Sequence, residues 1–214
     1  MKLFVYDHCP FCVKARMIFG LKRTAFELVI LLNDDEATPI NMIGKKMAPV
    51  LQDADRYLAE SMDIVVYVDG LSGDRALSGP CNTSVAQWIN DASGPLFSLA
   101  LPRWAAADLE EFSTPAARAY FTRNKERMIG SFKDHRADSP VYIAALNSQL
   151  LTLEPLIQSP DAVNGELSED DIHLFATLRS LSIVKGMMYP PAVQAYRVRM
   201  AERSGIDLHD HIAT

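Results

Sequence analysis

The chain has 214 residues, 49% of them hydrophobic, with 21 Lys and Arg against 27 Asp and Glu, a net charge of −6 and an isoelectric point near 5.3. That balance argues against a nucleic-acid partner and against an anionic membrane surface. No run approaches the ~20 apolar residues of a membrane helix, and three cysteines do not make a secreted disulfide framework. The expectation is a monomer of the reducing cytoplasm, long enough for one large domain or two small ones. The short apolar start is broken by Asp7 and does not read as a signal peptide.

The first seventy residues alternate short strands and helices. Residues 2–6 read as an apolar strand and 12–21 as a helix with Val13, Met17 and Ile18 among its apolar positions. Phe26 to Leu32 is a second β-rich run, parallel to the first if a helix crosses between them. Asn33-Asp34-Asp35 breaks it, and Thr38 to Ile43 is a short helix closed by Gly44. Pro49-Val50-Leu51 opens a third strand and Tyr57-Leu58 a fourth, with the turn at Asp53-Ala54-Asp55. Glu60 to Leu71 then reads as a helix with Met62, Val65, Val66 and Val68 inward.

A stretch rich in turn formers, Leu71-Ser72-Gly73-Asp74 through Gly79-Pro80, reads as a linker. We place a first domain at 1–72, the linker at 73–84 and a second domain at 85–214, helical throughout. Ser113-Thr114-Pro115 and Ser139-Pro140 are helix starts with proline at the first position. Val141 to Ile157 carries Leu146, Leu150, Leu153 and Ile157 at near-helical spacing. Ser168 to Asp171 opens a helix whose apolar face includes Ile172, Phe175, Leu178 and Ile183, and Pro190-Pro191 opens a last one ending near Gly205.

The motif that carries chemistry is Cys9-Pro10-Phe11-Cys12, directly after the first strand. A helix N-terminus offers unpaired N–H groups and a partial positive charge, which stabilise an anion. Cys9 should therefore have a lowered pKa and act as a nucleophile near neutral pH, with Cys12 one turn along and able to attack a mixed disulfide formed at Cys9. A structural zinc site needs about four N or S ligands, and the chain offers only one further cysteine, Cys81, so no metal is expected. Burial of both thiols as small hydrophobes fits less well, because Asp7, His8 and Pro10 mark a surface turn.

Two weaker features accompany the dithiol. Pro49 begins a strand, where a missing N–H costs nothing. A cis Ala48-Pro49 bond would leave the Ala48 backbone free to pair with an extended peptide. Glu60-Ser61 precedes an apolar helix: Ser61 can cap it, and the exposed N–H groups with the hydroxyl can take a ligand carboxylate while Glu60 pairs with an ammonium group.

The combination of CPxC after the first strand, X-Pro before the third and Glu-Ser at the following helix resembles the glutathione transferase superfamily. That resemblance implies an α/β thioredoxin-like N-terminal domain followed by an all-α C-terminal domain. Within the superfamily the chain is most similar to the bacterial glutaredoxin 2 family. The similarity rests on Tyr6-Asp7-His8-Cys9-Pro10-Phe11-Cys12, Lys14 to Lys22, Leu31 to Asp35, Glu60 to Val65, Glu111 to Arg118 and Asn164 to Ile172. It implies a glutathione-dependent thiol–disulfide oxidoreductase acting on protein disulfides and glutathionylated proteins, with glutathione as co-substrate. Cys9 would be the nucleophile and Cys12 the resolving thiol. Ala48 beside Pro49 would hold the cysteinyl backbone of glutathione, and Glu60 and Ser61 its γ-glutamyl end. Ser168 with Asp171 resembles the superfamily's structural capping box. Phe11 stands where the family usually has tyrosine, Ala48 replaces a common valine, and Cys81 is outside the pattern. The alternatives on the same scaffold are a glutathione transferase that conjugates electrophiles and a non-enzymatic interaction protein.

Overall fold

The computed structural model describes residues 1–214. Its first half is a four-stranded sheet in the order β2-β1-β3-β4. The strands are β1 (Lys2–Val5), β2 (Glu27–Ile30), β3 (Val50–Asp53) and β4 (Arg56–Ala59). β1 and β2 are parallel, with Leu3 opposite Leu28, because α1 (Pro10–Leu21) crosses between them. β3 runs antiparallel to β1 and joins β4 through a two-residue turn in which Ala54 takes a φ of 50°.

The expected elements are all present, with shifted ends. α1 begins at Pro10 rather than Cys12, since proline's fixed φ fits a first helical position. α2 (Ala37–Ile43) ends on Gly44 at φ 76°, the left-handed conformation a Cβ disfavours. α3 (Ser61–Asp69) buries Val65 and Val68 and packs the partly buried Met62 on the core. Val66 instead lies half exposed, on the opposite face. Ser61 is not the cap: Glu60 occupies that position and Ser61 is already the first helical residue.

The second half is helical: α4 (Thr83–Ala106), α5 (Pro115–Ile129), α6 (Phe132–Ala137), α7 (Ser139–Leu153), α8 (Glu169–Leu181) and α9 (Pro191–Ser204). The first N-terminal signal holds, with Thr114 accepting from the Ala117 N–H at 3.1 Å and Pro115 opening α5, but α7 starts one residue early: Asp138 is its cap, Ser139 its first residue and Pro140 its second. α7 stops at Leu153, where Pro155 turns the chain into a 3₁₀ segment before Ile157 is reached. Ile183 is buried but lies past the end of α8, which closes at Leu181. α8 is buried on nearly every side, Asp170, Asp171, Arg179 and Ser180 included, and runs through the middle of the molecule. At its start Asp171 accepts from the Ser168 N–H at 2.9 Å, completing a capping box.

One hydrophobic cluster of 40 buried residues spans both halves, from Leu3 and Met17 through Trp104 to Met200. α1 is shared: it packs on α3 within the first half and on α8 and α9 across the boundary. No helix is long and apolar enough to cross a membrane.

Candidate active site

Cys9 occupies the N-cap position of α1 with an extended backbone, and its carbonyl accepts the first helical bond, from the Val13 N–H at 3.0 Å. Its side chain is partly accessible, whereas Cys12 is completely buried and accepts the Tyr6 N–H at 3.4 Å on Sγ. Both thiols are free. A hydrogen bond from the Cys12 thiol brings the Cys9 thiol down to about 6 against the opposing effect of burial, assisted by the positive charge His8 carries when protonated and by the N–H groups of Cys12 and Phe11. Burial pushes the Cys12 thiol up, and the Cys9 anion adds to that shift. The two cysteines are therefore unequal: one is poised as a thiolate and the other as a proton donor to it.

The loop before Cys9 is pinned by the helical half. Asp7 accepts from Arg16 at 2.6 Å, Arg179 at 2.8 Å and His209 at 2.9 Å. His8 is not on a surface turn as its neighbours imply. It is buried among Trp104, Phe112 and Phe121, because the segment at Glu110–Phe112 closes over it.

A cavity of about 210 Å³ opens beside Cys9. Tyr6, Lys46 and Ala48 line it from the first half and Tyr120 and Lys125 from α5. Lys46 Nζ donates to the Asn33 carbonyl at 2.5 Å and lies 3.6 Å from the centre of the Tyr120 ring. Its ammonium pKa is lowered by burial.

The structure brings Cys9, Cys12, Ala48 and Pro49 to one end of the sheet. The Ala48-Pro49 peptide is cis, and neither the Ala48 N–H nor its carbonyl takes part in the backbone bonding outside helices and strands. Val50 pairs with both Phe4 and Ala59. That pairing stops at Val50, so Ala48 and Pro49 precede it while Glu60 and Ser61 follow Ala59 at the same end of the sheet. Glu60, at φ 66°, is exposed and paired with Lys45 at 3.2 Å, while Ser61 is buried at the start of α3. Neither lines the 210 Å³ cavity itself. Sequence reasoning missed Lys46, Tyr120, Lys125 and Glu111. The spacing of Tyr120, Phe121, Asn124 and Lys125 marks one helical face, but nothing in it says that this face meets the redox loop. No group of three or more His, Cys, Asp or Glu side chains gathers to hold a metal ion.

Comparison with known proteins agrees with this geometry. Residues 3–76 match the family described as Glutathione S-transferase, N-terminal domain, and residues 84–213 match Glutaredoxin 2, C terminal domain. Over 214 residues, all of both chains, the sequence is 50% identical to Glutaredoxin 2 of Escherichia coli strain K12. The chain belongs to the glutaredoxin 2 family. The crystal structure of Salmonella typhimurium Glutaredoxin 2 in complex with glutathione superposes with a TM-score of 0.98 at 54% identity, over 100% of this chain and 98% of that one. A glutathione transferase from Phanerochaete chrysosporium matches with a TM-score of 0.72 at 16% identity, over 94% of this chain and 96% of that one, a likeness of fold. As a glutaredoxin 2 homologue the chain is a glutathione-dependent thiol oxidoreductase on a two-domain, transferase-like scaffold.

Proposed function

We propose that this glutaredoxin works through the Cys9-Pro10-Phe11-Cys12 dithiol and reduces both glutathione mixed disulfides and protein disulfides. In the first reaction the Cys9 thiolate attacks the glutathione sulfur of a mixed disulfide, and the substrate thiolate leaves. A second glutathione thiolate then attacks the sulfur held on Cys9, forming glutathione disulfide and restoring the Cys9 thiolate. With a protein disulfide, Cys9 first forms a mixed disulfide with the substrate. Cys12 attacks the Cys9 sulfur, releases the second substrate thiolate and leaves a Cys9–Cys12 disulfide for two glutathiones to reduce. Glutaredoxin potentials near −200 to −230 mV lie close to the glutathione poise, so the exchange is reversible.

The observation that carries this reading is the inequality of the thiols: Cys9 is accessible and lowered to about 6, Cys12 buried and raised. Glutathione would lie along the same end of the sheet, its cysteinyl backbone on Ala48 beside Pro49 and its γ-glutamyl end at Glu60 and Ser61. The pairing of Val50 with Ala59, which leaves Pro49 and Glu60 at the same end of β3 and β4, supports that placement. We assign residues 1–72 as the redox domain, 73–84 as the linker and 85–214 as the helical domain. The working form is a monomer in the cytoplasm, with glutathionylated and disulfide-bonded proteins as partners.

The test is a pair of variants assayed with hydroxyethyl disulfide and glutathione. Cys9→Ser removes all activity. Cys12→Ser keeps the mixed-disulfide reaction but loses reduction of a protein disulfide. Equal loss in both variants would sink the assignment.

A further inference from the structure

Glu111 is the one completely buried carboxylate at the redox loop, and it comes from the other half of the molecule. Its Oε1 lies 2.6 Å from His8 Nδ1 and 2.9 Å from the His8 backbone N, a pair 103 residues apart in sequence. Oε2 is buried with no bonding partner, so His8 supplies every donor this carboxylate has. The imidazole ring is enclosed by Trp104, Phe112 and Phe121, each with its ring centre 5.1 Å away. Aromatic walls with a carboxylate at one edge suit a cation, and His8 immediately precedes Cys9.

We propose that Glu111 is a positioning residue for the reaction: from the helical half it holds the His8 ring and backbone so that a proton taken up by His8 favours the Cys9 thiolate. This rests on Cys9 being the nucleophile. The charge state of Glu111 agrees with it: burial raises its pKa, yet the His8 hydrogen bond and charge bring it below the ordinary carboxylate value. His8 charge is likewise among the causes that lower Cys9, whereas Cys12 supplies the larger effect.

Other ionisable groups face the same point: Tyr6 from β1, Cys12, Lys14 and Arg16 from α1, Asp35 and Lys46 from the loops, Tyr120 and Lys125 from α5, Arg179 from α8, and Asp7 and His209 behind the loop. None of them bonds to Glu111, but its charge also acts on Arg179, so the double variant with His8 is needed to separate the two effects.

The experiment follows iodoacetamide alkylation of Cys9 against pH by peptide mass spectrometry in the full chain carrying Cys81→Ser. The parent profile has its midpoint near 6. Glu111→Gln keeps an oxygen for the His8 N–H but removes the charge. It lowers the rate at pH 5 by about three- to tenfold, which is a midpoint rise of about half to one unit. Rates above pH 9 converge. His8→Gln raises the midpoint at least as far, and adding Glu111→Gln to it gives no further rise. A Glu111→Gln profile that superimposes on the parent, while the His8→Gln profile moves, overturns the proposal and reduces Glu111 to a backbone acceptor. If Glu111→Gln does not fold, an unmoved His8→Gln midpoint overturns it instead. A parent Cys9 that stays unmodified below pH 8 overturns the nucleophile assignment, and the inference with it.

Discussion

Arg179 of α8 grips Asp7 twice: its Nη2 lies 2.8 Å from the Asp7 carboxylate and its Nη1 2.6 Å from the Asp7 carbonyl. The same carboxylate accepts from Arg16 and His209, so a residue two places before Cys9 is tied to both halves of the molecule.

Burial alone would raise the Asp7 pKa, but the His209 bond and the charges of Arg179 and Arg16 hold it far below the ordinary 3.8. A carboxyl lowered on folding stabilises the native state above its unfolded pKa, and that contribution is lost as the pH falls below it. Asp7→Asn leaves the buried Arg179 without its counter-charge and costs about 2–4 kcal/mol near neutrality, a little below the usual range because Asp7 is a quarter exposed. Urea titrations should show this gap at full size at about pH 7, narrowing once the pH drops below 3.8. A gap of unchanged size at about pH 3 would count against the ion-pair account.

At Gly20 of α1 the backbone of the two halves comes into close contact. A Cβ there would stand 2.0 Å from the Ser204 carbonyl oxygen at the end of α9, a contact of backbone with backbone that no rotamer can relieve. Gly94, in the middle of α4, has nothing within 4 Å of the same imagined atom. The two alanine variants therefore differ in cost. Gly20→Ala loses about 1–3 kcal/mol or more through overpacking, while Gly94→Ala stays near neutral, because its gain of about 0.5–1 kcal/mol in helix propensity is offset by the Pro95 ring, which disfavours a Cβ on the helical residue before it. Thermal unfolding followed by circular dichroism separates them, and a neutral Gly20→Ala would refute the close approach.

Asp171 accepts from the Val163 N–H at 2.8 Å, the Ser168 N–H at 2.9 Å and the Tyr196 hydroxyl at 2.9 Å, all buried. Removing the carboxylate strands three donors, at about 1–3 kcal/mol each before relaxation. Asp171→Ala is expected to cost about 3–5 kcal/mol, against about 1–2 kcal/mol for Ser168→Ala, whose hydroxyl caps the helix and makes only long contacts with Asn164 and Asp171. Chemical denaturation of the two variants distinguishes a structural hub from an ordinary helix start; equal costs would mean it is only the latter.

Lys46 places an ammonium group in the cavity beside Cys9, held by the Asn33 carbonyl and the face of Tyr120. Glutathione carries two carboxylates, so a fixed cation here should act on its binding. Lys46→Ala is expected to raise KM for glutathione about tenfold, the effect of losing one charge-assisted bond of about 1.5 kcal/mol, with little change in kcat. A fall in kcat at constant KM would place Lys46 in the chemical step instead.

The dithiol, the X-Pro and the capping box were legible in sequence because each is local: a strand end, a helix start, a fixed spacing of a few residues. The periodicity that marks Leu146, Leu150 and Leu153 is local too, and all three are completely buried. Illegible were contacts between segments far apart in the chain. Nothing local to Glu111 says that it is buried against a histidine 103 residues earlier. His8 and Val66 erred in opposite senses for the same reason. Burial there depends on what packs over a residue: the helical half covers His8, and nothing covers the outer face of α3 at Val66.

The sharing of α1 between the sheet and the helical half has a bearing on modularity. Small redox proteins of this type can be imagined as independent units onto which other domains are grafted. Here the helix that carries the cysteines packs on α3 on one side and on α8 and α9 on the other, and Phe11 is its one exposed residue. Severed after residue 76, the first half would present that bare apolar side to water, lose Arg179 from Asp7 and lose Glu111 from His8. Arg179 and Glu111, each more than a hundred positions downstream, complete the surroundings of Asp7 and His8 just before Cys9.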